Sequence, residues 1–363
     1  MRSIRTALIG PGKVAHNHAQ ALLTLPQSEL VAVCGRHAGR TEAFAGQYGL
    51  AAYQDVTTMI EQARVEAVIV CTPHPAHAAP AIAAMQAGAH VLVDKPLAAS
   101  LADCDAMLAT AQQTGLKLGV VSQRRFYKPV QRVKAAIDQG KIGRPVLGTV
   151  LMLGWRDEAY YASDPWRGSW QAEGGGVLVN QAPHQLDLLQ WLMGPIEELF
   201  GYWDNLNHPT IEVEDTAVAV LRFKNGGLGS ILVSNSQKPG LYGKVHVHGS
   251  TGASVGVQTE SGSMFIAGAP VPDAVEPPLN DLWSVPGEEH LLATWQAEDR
   301  AAFTEGATTQ YHFNLQVEDF LQAILEDREP LISGQQGRAT VELFTAIYRS
   351  QQERQPIRFP LQS

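Results

Sequence analysis

Ile4-Arg5-Thr6-Ala7-Leu8-Ile9-Gly10-Pro11-Gly12-Lys13-Val14-Ala15 is an apolar run that breaks onto two closely spaced glycines and then turns helical. A strand followed at once by G-x-G-x-x-A and a helix is how a βαβ unit takes a dinucleotide. Gly10 permits the tight turn, Gly12 lets backbone approach a pyrophosphate, and the small Ala15 lets the helix pack close on the strand. The helix N-terminus, with Lys13 and Val14 beside it, then faces the phosphates with N–H groups that have no partner inside the helix. Outward from this stretch the alternation repeats. Residues 4–9, 30–34, 67–71, 90–93 and 118–121 read as buried strands, with helices over 14–25, 38–48, 56–63, 76–87 and 101–114. Strand and helix in turn mean a parallel sheet with right-handed crossovers and helices on both faces, so an α/β Rossmann domain is predicted over residues 1–122.

After a helical stretch near 129–139 the period changes to two. Segments 145–153, 213–223, 228–235 and 243–249 alternate or run in β-branched residues, with turns such as Asn225-Gly226-Gly227 between them, which predicts antiparallel hairpins. Residues 123–363 are therefore expected to form an α+β domain around a large open, mostly antiparallel sheet. Its helices are one ending at Gly194, placed as a cap, and a C-terminal pair near 311–326 and 335–352 that can pack back on the first domain. Residues 268–290, rich in proline and acid, read as a surface loop.

Composition narrows the function. The chain of 363 residues is long enough for two domains, and 27 Lys plus Arg against 36 Asp plus Glu leave a formal charge of −9 with no basic run for phosphates. Nucleic acid is not expected as a partner. No stretch reaches the roughly 18 apolar residues of a membrane span, and Ala7-Leu8-Ile9 is too short for the core of an export signal. Three cysteines, Cys34, Cys71 and Cys104, cannot pair off, so a reducing cytoplasm is expected and the thiols read as small buried hydrophobes. No cluster has metal-ligand spacing; His184 and Asp187, three apart, are two ligands only, and no metal is expected.

The choice of nucleotide falls at the end of the second strand, where a carboxylate would bind the ribose hydroxyls of NAD and repel a 2′-phosphate. Here the segment is Val33-Cys34-Gly35-Arg36-His37, with Arg40 one turn on. The acid is missing and two guanidinium groups are present, a combination that favours NADP over NAD. Further on, Cys71-Thr72-Pro73-His74-Pro75-Ala76-His77 ends the third of the read strands. Val91-Leu92-Val93-Asp94-Lys95-Pro96-Leu97 ends the next one, and both lie at the carboxyl edge where open α/β sheets bind ligands.

These motifs together, with AGAHVLVDKPLA (87–98), GGGVLVNQAPHQLDLLQWLMG (174–194) and AIYRSQQERQPIRFPL (346–361), resemble the glucose-fructose oxidoreductase, inositol dehydrogenase and rhizopine-catabolism (Gfo/Idh/MocA) family along essentially the whole chain. The resemblance implies a Rossmann domain, a second domain whose open sheet face joins subunits into a homodimer or homotetramer, and a sugar or polyol substrate. It places Lys95 beside nicotinamide and substrate, with the Lys95-Pro96 peptide at the pocket floor, and makes His184 the general acid/base. Thr72, Pro73, His77, Asp94 and Pro96 would line the cofactor. Asn180 stands where the family often has Asp four residues before that histidine. An amide cannot exchange a proton, so Asn180 could hold a substrate hydroxyl but not relay a proton. Pro183 either starts the helix or kinks it, and only a continuous helix would put Asn180, His184 and Asp187 on one face.

Between the two motifs, Trp155-Arg156-Asp157-Glu158-Ala159-Tyr160-Tyr161 and Asp164-Pro165-Trp166-Arg167 suit a sugar site, since aromatic surface takes the apolar ring face and charged groups take hydroxyls. Arg156, Tyr160 and Trp166 are the expected substrate contacts, with Arg125 a further candidate and Asp187 expected to orient an imidazole or cap a neighbour. The expected activity is hydride transfer between NAD(P) and a secondary alcohol or ketone of a cyclic sugar, polyol or derivative. Two alternatives keep the nucleotide: redox-assisted elimination with a cofactor that is never consumed, and a non-catalytic nucleotide sensor.

Overall fold

The computed structural model describes residues 2–238, 240–259, 277–306 and 308–363. In chain order its elements begin β1 (Ile4–Ile9), α1 (Ala15–Thr24), β2 (Ser28–Cys34), α2 (Ala38–Tyr48), β3 (Ala51–Tyr53), α3 (Val56–Ala63), β4 (Ala67–Val70), α4 (Ala78–Gln86), β5 (His90–Val93), α5 (Leu101–Thr114) and β6 (Leu118–Val120). They continue α6 (Lys128–Asp138), β7 (Pro145–Leu153), α7 (Glu158–Ala162), α8 (Val177–Asn180), α9 (Pro183–Met193), β8 (Ile196–Asp204), β9 (Thr216–Phe223), β10 (Leu228–Ser234), β11 (Gly243–Gly249) and β12 (Ser254–Thr259). The last are β13 (Leu279–Trp283), α10 (Leu291–Thr304), α11 (Thr309–Leu325), α12 (Gly334–Glu353) and β14 (Ile357–Arg358). The chain divides into two compact units, residues 1–123 with 309–341 and 363, and residues 124–308 with 342–362.

The first unit holds a parallel sheet in the order β3-β2-β1-β4-β5-β6. The order reverses between β1 and β4, the switch point at whose carboxyl ends such sheets bind nucleotides. Ile4, Leu8, Val33, Ile69 and Leu92 from the strands pack with Leu22 of α1 and with Phe313, Val317, Phe320 and Leu321 of α11. Helix α11 thus completes a core begun some 300 residues earlier in the chain. Its Gln316 also accepts from Ser122 N at 2.8 Å and donates to Val120 O at 2.7 Å, tying it to the end of β6. Apolar cover, more than sequence proximity, decides the unit to which a helix belongs.

In the second unit an eight-stranded sheet runs β13-β12-β11-β7-β10-β9-β8-β14. All neighbours are antiparallel except β7 and β10, which run parallel from Leu147↔Leu228 to Leu153↔Ser234. The hairpin expectation for 145–153 is corrected here. The chain leaves β7 through α7, α8, α9, β8 and β9 before β10, and such a long crossover can return parallel where a tight turn cannot. The loop expected over 268–290 is also corrected in part: 279–283 is the edge strand β13, while 268–276 lie outside the described residues. Helix α9 covers one sheet face so closely that a Cβ on Gly148 would sit 2.5 Å from Met193 Cγ. Tyr202, Val220 and Leu228 remain exposed on their strands. Among the described residues no helix is long and apolar enough to cross a membrane.

Candidate active site

At the switch point of the first unit, Gly10 has φ +96°, and a Cβ there would lie 2.9 Å from Cys71 C and Thr72 N. Only glycine lets the loop after β1 lie against the backbone after β4. At Gly12 a Cβ would meet nothing nearer than Cys71 O at 3.8 Å, so that side of the loop is open to an approaching group. Gly12 and Lys13 are exposed, Val14 is half-buried, and no side chain caps α1. A helix start without a side-chain cap, behind an open glycine loop, fits the pyrophosphate of a dinucleotide. Arg36 and Arg40 are exposed just after β2 and in the first turn of α2, a turn with no acidic residue.

Lys95 follows the carboxyl end of β5, and its peptide bond to Pro96 is cis. Asp94 Oδ1 accepts from Lys95 N at 2.7 Å, and Oδ2 lies 3.7 Å from His18 Nε2. Burial pushes the Asp94 carboxyl up, but His18, Lys95 and His77 outweigh it and hold the group below the usual carboxylate range. His77, expected against the cofactor, is fully buried. Its Nε2 is 2.7 Å from Thr72 O and its Nδ1 2.9 Å from Pro96 O, so whichever nitrogen carries the proton donates to backbone. The ring thus clamps the Thr72-Pro73 turn to the Lys95-Pro96 corner. Thr72 Oγ1 likewise turns to backbone, donating to Ala76 O at 2.9 Å.

In the second unit the segment 177–193 is two helices. Pro183 opens α9, and because proline offers no N–H, α8 ends at Asn180. Asn180 thus closes one helix while His184 and Asp187 belong to the next. His184 is the second residue of α9 and is buried. Asp187 takes Arg125 in a bidentate pair, at 2.5 and 2.8 Å, with both side chains buried and the guanidinium 5.0 Å from the Trp191 ring centroid. The geometry of Arg125, a candidate substrate contact, and Asp187, expected to orient an imidazole or cap a neighbour, is that of a buried brace between the segment before α6 and α9.

Around Tyr160 the sequence signals converge. Its hydroxyl accepts from Asn180 Nδ2 at 3.2 Å, from Gln181 Nε2 at 2.9 Å and from Arg167, while Arg156 and Arg167 lie 4.9 and 4.2 Å from the ring centroid. Trp166 stacks on Arg167 at 4.6 Å. Arg156 and Tyr160 are buried and Trp166 half-buried, so these groups form a packed polar cluster more than an open aromatic shelf. Sequence reasoning missed Glu173, which accepts from Asn180 Nδ2 at 2.5 Å and Gly168 N at 2.6 Å. Its one signal was a carboxylate set directly before Gly174-Gly175-Gly176. Among the described residues no group of three His, Cys, Asp or Glu is placed to hold a metal, and Cys34, Cys71 and Cys104 are buried thiols.

Glu214 was missed as well. Fully buried beneath α8, it accepts from Gly176 N at 2.8 Å, Leu178 N at 2.9 Å and Tyr348 Oη at 2.8 Å. Burial pushes its pKa up to about 7 against the pull of these donors. The folded state therefore keeps a proton that the unfolded chain sheds near pH 4.3, so stability falls as pH rises from about 4.3 to about 7, by on the order of 3 kcal/mol. Thermal melts between pH 5 and 8 check this: wild type is expected to lose midpoint with rising pH and Glu214→Gln to show a flatter slope. Equal slopes would remove Glu214 as the source.

A parallel sheet of this order, with a glycine loop at its switch point and a lysine beyond its fifth strand, is the nucleotide-binding half of a pyridine-nucleotide oxidoreductase. Comparison with known families narrows the class. Residues 4–122 match the oxidoreductase family with NAD-binding Rossmann fold and residues 130–255 the GFO/IDH/MocA C-terminal domain; the chain belongs to this family and is a dehydrogenase. It is similar to the myo-inositol 2-dehydrogenase of Thermotoga maritima, 33% identical over 69% of this chain and 74% of that enzyme. It is also 28% identical to the D-glucoside 3-dehydrogenase of Escherichia coli, over 62% of this chain and 68% of that one. Among solved structures, the WlbA dehydrogenase of Bordetella pertussis in complex with NADH and UDP-GlcNAcA has a TM-score of 0.84 and 31% identity, covering 99% of this chain and all of that one.

Proposed function

We propose that the protein transfers a hydride between NAD(P) and a secondary alcohol or ketone on the ring of a sugar, polyol or sugar derivative, in the cytoplasm and as a homodimer or homotetramer. The observation that carries the reading is Lys95 at the carboxyl end of β5, in a unit whose glycine loop and uncapped α1 start are shaped for a dinucleotide. The relatives support the substrate class: two act, by name, on an inositol and on a glucoside, and one is seen with a nucleotide-linked sugar acid. Nicotinamide, when bound, supplies the hydride acceptor or donor. In the oxidative direction His184 takes the proton of the reacting hydroxyl, Lys95 holds the oxygen as negative charge develops, and Asn180 holds a neighbouring substrate hydroxyl.

A screen of inositols, pyranoses, glycosides and nucleotide-linked sugars with NAD and NADP, followed by nicotinamide absorbance, tests the proposal; no absorbance change with any of them would remove it. The preference for NADP rests on Arg36 and Arg40 and on the missing acid after β2. Replacing both arginines with alanine is expected to weaken NADPH binding by about 10-fold or more, in line with the loss of charge-assisted hydrogen bonds to a phosphate, and to leave NADH binding within about 2-fold. Equal losses for both nucleotides in titration calorimetry would dismiss the arginines as phosphate ligands.

A further inference from the structure

We propose that Glu173 is a positioning residue that sets which end of the Asn180 amide is presented to a substrate hydroxyl beside the reacting one. The inference rests on the role given to Asn180 above and goes beyond it. Glu173 is 1% exposed, and both of its carboxylate oxygens are committed: Oε2 accepts from Gly168 N at 2.6 Å and Oε1 from Asn180 Nδ2 at 2.5 Å. A carboxylate accepts and cannot donate, so it admits only the NH₂ end of the amide. Tyr160 Oη, already accepting from Gln181 and Arg167, takes a second N–H from the same Nδ2. Asn180 Oδ1 is thereby turned away from Glu173, and the amide is held in one orientation where it could otherwise present either end. Gly168 N anchors the carboxylate from the opposite side, so Glu173 cannot swing to follow the amide.

The geometry also makes residues 173 and 180 a matched pair. An aspartate at 180 would set two carboxylates about 2.5 Å apart, a distance that one shared proton must bridge. A glutamine at 173 has one acceptor, and Gly168 N claims it. Its NH₂ then faces Asn180 and forces the amide to flip, so that the site meets a donor in place of an acceptor. With both changes made together, the introduced amide nitrogen at 173 donates to one oxygen of the introduced carboxylate at 180, and the other oxygen again faces the site.

Steady-state kinetics on the substrate found in the screen, normalised to folded protein, tests the pairing. Glu173→Gln and Asn180→Asp are each expected to lower kcat by about 10- to 100-fold with the KM for nucleotide within about 2-fold, and the double variant to regain most of that loss. A brace that merely stabilised the fold would move the melting midpoint and leave kcat per folded molecule in place. Unchanged kcat in Glu173→Gln overturns the inference, as does a double variant no more active than the singles. Should a single variant fail to fold, the double carries the test, and its failure to fold or to turn over also overturns the pairing. A wild type without dehydrogenase activity would instead overturn the function proposed above, so the two failures are distinguishable.

Discussion

Replacing Lys95 or His184 with alanine is expected to lower kcat by about 10²–10⁴-fold, the usual contribution of a positioned proton-transfer group or a preorganised charge. Nucleotide affinity is expected to stay within a few-fold for His184→Ala, because His184 sits at the start of α9 in the second unit while the glycine loop, α1 and Arg36 lie in the first. Lys95→Ala is expected to raise the nucleotide Kd only modestly, since pyrophosphate recognition is built from backbone at Gly10 and Gly12. Lys95→Arg discriminates charge from shape: the guanidinium keeps the positive charge but not the compact ammonium, and partial activity is expected. Stopped-flow measurement of hydride transfer separates chemistry from product release. Either alanine variant retaining more than about a tenth of wild-type kcat would sink its assignment.

The second large effect is structural. Gly176 precedes α8, and a Cβ there would sit 1.8 Å from the carbonyl oxygen of Glu214, a backbone atom that cannot rotate away. Gly176→Ala must therefore push α8 off the segment just before β9, breaking the hydrogen bonds from Gly176 N and Leu178 N to Glu214 and displacing Asn180 at the other end of this short helix. The expected cost is about 3 kcal/mol or more, a fall in Tm of roughly 6–12 °C for a unit of this size, with kcat lost in step. Calorimetric melts check it. A variant with the wild-type midpoint would mean that α8 is free to shift.

The first unit was legible because each of its signals is local. The β1 run, the glycine loop and the following helix are consecutive, and His90–Val93, Val56–Ala63 and Leu101–Thr114 form where the pattern places them. What sequence periodicity could not supply was partnership across long separations. Nothing within 145–153 says that β10 will lie beside it in parallel, since the pairing is set by the crossover between them. The same blindness hid the site's supports. Glu173 and Glu214 look like surface acids until the fold buries them against backbone N–H groups. A separation of 62 residues likewise conceals the pairing of Arg125 with Asp187. The motif gives no sign that both nitrogens of His77 face the carbonyls of Thr72 and Pro96.

Helix α11 bears on how the molecule is made. Its Phe313, Val317, Phe320 and Leu321 seal apolar surface of β1, β2 and α1, so a nascent chain carries an unfinished nucleotide domain from the end of β2 until Leu321 has been translated. At ribosomal speeds of about 5–20 residues per second that interval is roughly 14–57 s. A fragment cut after β6 would lack the closing helix altogether, and chaperone binding to it is expected to exceed binding to the full-length chain.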